Sequence, residues 1–152
     1  MEKVIRELIA MYEEAEVPLT TIHLGGDEVP EGAWMGSPVC RTFMDENGMT
    51  SAHELSEYYI TKMADYLQQH HLQFSGWQEV ALGHPETTDR HLNQLAAGVY
   101  CWNTVPEWEA DEIPYQIANK GYPVILCNVN NFYLDLAYDA HPVSYTHLRA
   151  HE

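Results

Sequence analysis

The chain has 152 residues, enough for one domain with a sizeable core, and at 45% hydrophobic and 11% aromatic it reads as globular, not disordered. Its 23 acids against 7 Lys plus Arg give a formal net charge of -16, which argues against nucleic acid and anionic membrane surfaces as partners because no basic patch can neutralise phosphates. No run approaches the ~20 apolar residues of a membrane span, and the stretch MEKVIRELIAMYEE carries acids within its apolar residues and no small-residue cleavage site, unlike a signal peptide.

Val4, Ile5, Leu8, Ile9 and Tyr12 recur at helical spacing and predict a helix over residues 2–15. VPLTTIHL (17–24), with its β-branched residues, predicts a strand that runs into Gly25 and Gly26. A long loop rich in Pro and Gly is expected over 28–50. Ser51 and Glu54 then form a capping-box pattern that opens a helix to about His71, with Leu55, Tyr59, Met63 and Leu67 on one face. LQFSGWQEV (72–80) reads as a strand, GHPETTDRHLNQLA (83–96) as a loop and a poorly defined stretch, and AGVYCWNT (97–104) as another strand. Residues 109–120 read as a helix, with Pro114 tolerable near its start and Gly121 as its stop. YPVILCNV (122–129) is the last clear strand.

Alternation of this kind implies an α/β fold with parallel strands and outer helices. Ligands of such folds bind beyond the carboxyl ends of the strands. Those ends carry Asp27 and Glu28, then Trp77 and Glu79, then Trp102 and Asn103, then Tyr133 and Asp135. Four strands are too few to close an eight-stranded barrel of ~250 residues, which leaves a small open sheet or part of something larger. Cys40, Cys101 and Cys127 are odd in number and lack a CxxC pair. That argues against a disulfide framework, leaves room for one bridge, and leaves the compartment open.

In IHLGGDE (22–28), two glycines precede two adjacent carboxylates. Adjacent side chains diverge on a strand unless the backbone turns. Gly25 and Gly26 supply that turn and let a ligand approach closely. One acid can then face a bond to be broken while its neighbour addresses another group of the same substrate. The plainer alternative is a solvated loop pair. Trp77 and Trp102 can pack a core, or offer the aromatic faces on which sugar rings stack. Tyr133 and Asp135, two apart on an extended stretch, would point to one side and suit two hydrogen bonds to one ligand, or simply form a turn.

HLGGDEV, with GAW at 32–34 and SPVC at 37–40, resembles glycoside hydrolase family 20, the β-N-acetylhexosaminidases; SGWQEV, YCWNT and FYLDLAY fall in that family's order. The resemblance runs from residue 1 to about 142 and implies part of a (β/α)8 TIM barrel, about its strands 4–7. It implies exo-hydrolysis of terminal β-linked N-acetylglucosamine or N-acetylgalactosamine, with no metal or other cofactor. Under it Glu28 matches the general acid/base, and Asp27 the carboxylate that orients the 2-acetamido group. Trp77 and Trp102 match walls of the sugar pocket, Tyr133 a hydroxyl that bonds the acetamido oxygen, and Asp135 a sugar-hydroxyl contact. His23 matches the motif histidine, a supporting partner instead of a catalyst. Ordinary retaining glycosidases set two carboxyl groups about 5–5.5 Å apart, whereas this family uses the substrate's own acetamido oxygen as nucleophile. Adjacent acids suit that chemistry, provided burial beside the tryptophans and the Asp27 charge keep Glu28 protonated at the outset.

Rival readings remain. GGDE also occurs in the GGDEF signature of diguanylate cyclases, but Val29 stands here where Phe follows there. A zinc site among the 9 His lacks an HExxH or comparable ligand pair. The weightier rival is an inactive fragment or sugar-binding remnant, because the family's other barrel strands supply an arginine, a tryptophan and an acid absent here. VSYTHLRAHE (143–152) departs from the family pattern and reads as a non-native tail, so His141, His147 and His151 are not taken as ligands.

Overall fold

The computed structural model describes residues 1–30 and 32–133. Asp135 and the tail therefore lie outside the described residues. Ten elements follow the order α1 (Glu2–Glu14), β1 (Thr21–His23), α2 (Pro38–Glu46), α3 (Ala52–Gln69), β2 (Gln73–Trp77), α4 (Glu86–Leu95), β3 (Ala96–Cys101), α5 (Ile113–Asn119), β4 (Val124–Leu126) and α6 (Val129–Phe132). Short 3-10 turns, Gln78–Ala81 and Pro106–Trp108, follow β2 and β3. No helix among the described residues is long and apolar enough to cross a membrane.

The sheet has four strands in the order β1-β2-β3-β4, and every neighbouring pair is parallel. Parallel neighbours require a crossover between them, and helices supply each one. Sequence order therefore equals spatial order, as in an arc of a (β/α) barrel. All four carboxyl ends consequently open onto one rim.

Three helices replace expected loop or strand. α2 starts inside the Pro- and Gly-rich stretch because Ser37 caps it, its hydroxyl accepting the Cys40 N–H at 3.4 Å, with Pro38 in the first turn. α4 fills the poorly defined stretch; it buries Leu92 and Leu95 and provides the crossover that two successive parallel strands need. α6 ends the last expected strand early, so β4 spans Val124–Leu126 only.

The expected capping box is present. Glu54 N–H donates to Ser51 Oγ at 3.2 Å, and Ser51 N–H to Glu54 Oε2 at 2.9 Å. α3 buries Leu55, Ile60, Met63, Ala64 and Leu67, while Tyr59 packs at the margin. Phe74, Leu92, Val99, Cys101 and Ile117 complete the core between sheet and helices. α1 behaves differently: Ile5 is buried, but Val4 stays 54% exposed and Tyr12 39%. Ile9 packs against the core beside Ile5, whereas Val4 and Tyr12 are left largely on the surface.

A buried polar cluster joins α4 to the segment between α5 and β4. Asp89 accepts the Tyr122 hydroxyl at 2.9 Å and lies 2.9 Å from Lys120 Nζ, which also donates to the Ala81 carbonyl at 3.0 Å. His84 Nδ1 is buried 3.9 Å from Asp89, without a hydrogen-bond partner. Burial pushes the His84 imidazole below its ordinary value, against the opposing pull of Glu57 and Asp89.

Close backbone approach sets the rim of β1 against β2. Leu24 N–H donates to Ser75 O at 2.8 Å, and Trp77 N–H to Gly25 O at 2.9 Å. Between them sits Val80, whose Cγ1 would lie 2.6 Å from a Cβ at Gly26 and 2.6 Å from one at Gly76. Val80 is 2% exposed and β-branched, so it has little room to rotate away.

Gly76→Ala should therefore destabilise the fold by about 1–3 kcal/mol, the usual effect of overpacking. Urea unfolding measures this; a change within about 0.5 kcal/mol would mean that Val80 repacks freely. His84 gives a pH dependence. Its folded-state value is depressed, so on acidification the unfolded chain takes up a proton first and stability falls as pH drops below about 6.5. Thermal melts from pH 7.5 to 5.5 should show this slope, and His84→Asn should flatten it.

Candidate active site

Gly25 and Gly26 adopt φ of +73° and +102°, backbone that non-glycine residues rarely occupy. They reverse the chain as it leaves β1, and Asp27 and Glu28 follow on the rim. Glu28 itself has φ +45°, an uncommon left-handed conformation for such a residue. The turn expected between the two acids is thus built from three left-handed residues.

Asp27, Glu28, Trp77, Trp102 and Tyr133 line one cavity of about 150 Å³. They come from beyond the ends of all four strands, and the first and last stand more than a hundred residues apart in sequence. α6 brings Tyr133 there: Val129 N–H donates to Trp102 O at 2.9 Å, and Thr104 Oγ1 donates to Asn130 Oδ1 at 3.1 Å. Tyr133 is therefore set by a helical turn that precedes it, not by a continuous extended run.

One expectation fails. Asp27 and Glu28 are exposed, so the burial expected around Glu28 is missing from the described residues. Both acids sit on the loop that the glycine turn carries out from the end of β1. The half-buried carboxylate of this rim is Glu79 instead. Desolvation pushes its carboxyl above the ordinary range, its own backbone N–H and the Trp102 indole pull it down, and the Asp27 and Glu28 charges push it further up.

His23 is exposed and stands beside the site at the end of β1. Its ring meets Trp77 edge-on at 5.2 Å and Tyr100 at 5.1 Å, and Trp77 meets Tyr100 at 5.9 Å. These edge-to-face contacts tie β1, β2 and β3 together on one face. His23 Nδ1 accepts the Gly25 N–H at 3.1 Å, which leaves a neutral ring's proton on Nε2. Burial lowers the imidazole's pKa and the Asp27 charge partly restores it. His23 thus holds the glycine turn and the tryptophan.

Sequence reasoning gave no role to Gln78 or Tyr100. Gln78 is 3% exposed, and its Oε1 accepts both the Trp102 N–H at 3.1 Å and the Asn103 N–H at 2.9 Å. The signal was a polar residue directly after a buried strand, where a free amide would be unfavourable. All three cysteines are free, and the buried Cys101 thiol is pushed up to about 11 by burial, then by Cys127 and Glu79. Among the described residues no group of three or more His, Cys, Asp or Glu could hold a metal.

Comparison with known proteins supplies the family. Residues 1–151 match glycosyl hydrolase family 20, catalytic domain. The chain is 31% identical to a beta-hexosaminidase of Vibrio vulnificus over 144 residues, covering 93% of this chain and 17% of that protein. Among solved structures, the Flavobacterium johnsoniae chitobiase superposes with a TM-score of 0.66 at 29% identity, over 90% of this chain and 19% of that one. The Vibrio harveyi exo beta-N-acetylglucosaminidase in complex with N-acetylglucosamine gives 0.65 at 28%, over 93% and 19%. The chain thus spans about a fifth or less of these relatives' lengths, and its four parallel strands form part of the barrel. Its fold, the rim that gathers its two acids and two tryptophans, and the match along its length place it in glycosyl hydrolase family 20.

Proposed function

We propose that this rim is the acid/base side of a site for terminal β-linked N-acetylhexosamine, worked by substrate-assisted hydrolysis. The observation that carries the reading is the convergence of Asp27, Glu28, Trp77, Trp102 and Tyr133 on one cavity. In this reading the sugar's acetamido oxygen attacks the anomeric carbon while Glu28 gives its proton to the departing glycosidic oxygen. The bond to the leaving group breaks as the bond to the acetamido oxygen forms, giving a cyclic oxazolinium. Asp27 accepts a hydrogen bond from the acetamido N–H and stabilises the positive charge that grows there. Water then attacks the anomeric carbon as its bond to the acetamido oxygen breaks, which restores the acetamido group, and the water's proton goes to Glu28, so configuration is retained after two inversions. The tryptophans hold the ring, and the Tyr133 hydroxyl steadies the acetamido oxygen before attack. Asp135, outside the described residues, keeps its proposed contact with a sugar hydroxyl. None of these steps calls on a metal or other cofactor.

A second reading, sugar binding without appreciable turnover by these 152 residues, is favoured by the exposure of both acids and by the small cavity. Ligand sites ordinarily enclose about 300–1,000 Å³, and half a pocket loses much of the positioning on which rate depends.

Two measurements on the purified chain separate these readings. N-acetylglucosamine at millimolar concentration should change the tryptophan emission, whereas glucose, which lacks the acetamido group, should not. Asp27→Ala should abolish that discrimination. Turnover of a chromogenic N-acetyl-β-glucosaminide, where measurable, should fall about 100-fold or more in Glu28→Gln. An equal response to both sugars, or turnover indifferent to Glu28, would sink the reading.

A further inference from the structure

We propose that Glu79 is a positioning residue whose carboxylate fixes the Trp102 indole as a wall of the cavity. Trp102 Nε1 donates to both carboxylate oxygens, at 3.1 Å to Oε1 and 3.4 Å to Oε2. Glu79 lies on the 3-10 turn that continues β2, whereas Trp102 follows β3. The contact therefore crosses between two strand ends. Gln78, its immediate neighbour, grips the Trp102 backbone, so consecutive residues hold the main chain and the ring of the same tryptophan.

The chemistry favours Glu79 for this task. A stacking wall works only while its ring plane is fixed, and an indole carries a single polar handle, its N–H. A carboxylate acceptor makes that hydrogen bond roughly twice as strong as a neutral one. Exposed acid would add little, but Glu79 is half-buried, where competing water is scarce. Several charged or titratable groups surround the carboxylate. Asp27 and Glu28 face it from the loop after β1, the Cys101 thiol from the end of β3, and Lys120 grips the far end of its turn at Ala81 O. Desolvation first, and then Asp27 and Glu28, make its ionisation harder, so the grip on the indole loosens as pH falls through the raised value of Glu79.

The stacking part of this assignment rests on the amino-sugar reading; the Glu79–Trp102 link does not. The test is the Trp102 indole N–H resonance of the 15N-labelled chain, identified by its loss in Trp102→Phe. It should titrate with pH in the wild type, persist in its titration in Glu28→Gln, and lose that titration in Glu79→Gln. Glu79→Ala should weaken N-acetylglucosamine binding about tenfold, and Glu79→Gln, which keeps an oxygen acceptor, should restore most of it. An indole resonance indifferent to Glu79→Gln, or wild-type affinity in a folded Glu79→Ala chain, would overturn the assignment. A resonance that follows Glu79 but ignores every sugar would support the link and defeat the amino-sugar reading instead.

Discussion

Gln78, Glu79 and Val80 are consecutive, and each meets a different part of the rim. Gln78 bonds two backbone amides beyond β3, Glu79 bonds the Trp102 indole, and Val80 fills the space against Gly26 and Gly76. Strand ends in a parallel sheet are not paired by the ladder that orders their middles, and they fray unless something else holds them. Here one short turn supplies that hold for three strands at once. It works because the 3-10 geometry points successive side chains in different directions, as neither a strand nor a longer helix would do so compactly.

The same turn concentrates acid. Asp27, Glu28 and Glu79 interact electrostatically at one rim: desolvation does most to raise the Glu79 pKa, and the Asp27 and Glu28 charges add to it. Charge of one sign in one place is unfavourable for folding, and it is tolerated because two of the three acids remain in water. The contrast with Asp89 is instructive. That buried carboxylate has a tyrosine hydroxyl and a lysine ammonium against it, the pairing that a structural acid in the interior requires. At the rim, the acids face a cavity.

Most of the rim was legible in the sequence, because chemistry-bearing residues recur at strand ends and the glycines before Asp27 announce a turn. The supports were less legible. The His23, Trp77 and Tyr100 contacts depend on the register that sets Trp77 opposite Tyr100, and register is a property of paired strands, which no single segment encodes. α4 was obscured because ETTDRHLNQL is polar on most of its surface, and its buried positions Asp89, Leu92 and Leu95 include an acid that no hydrophobic pattern would count. α2 was hidden by surrounding Pro and Gly, although Ser37-Pro38 is a regular way to begin a helix. The burial of Glu28 was misjudged for another reason: it was expected from neighbouring tryptophans, yet sharing a cavity with Trp77 and Trp102 leaves Glu28 exposed.

Glu28 occupies left-handed backbone that glycine would adopt without strain, whereas a side chain there raises the energy by about 1 kcal/mol. Folding alone would thus favour losing this acid, and under the proposed function it is the proton that Glu28 gives which is set against that strain. A lineage released from that need would drift toward glycine or asparagine at this position and gain thermal robustness as it lost chemistry. Under the proposed function, the residue at position 28 then trades stability against chemistry, so that a more stable related chain can be a less active one.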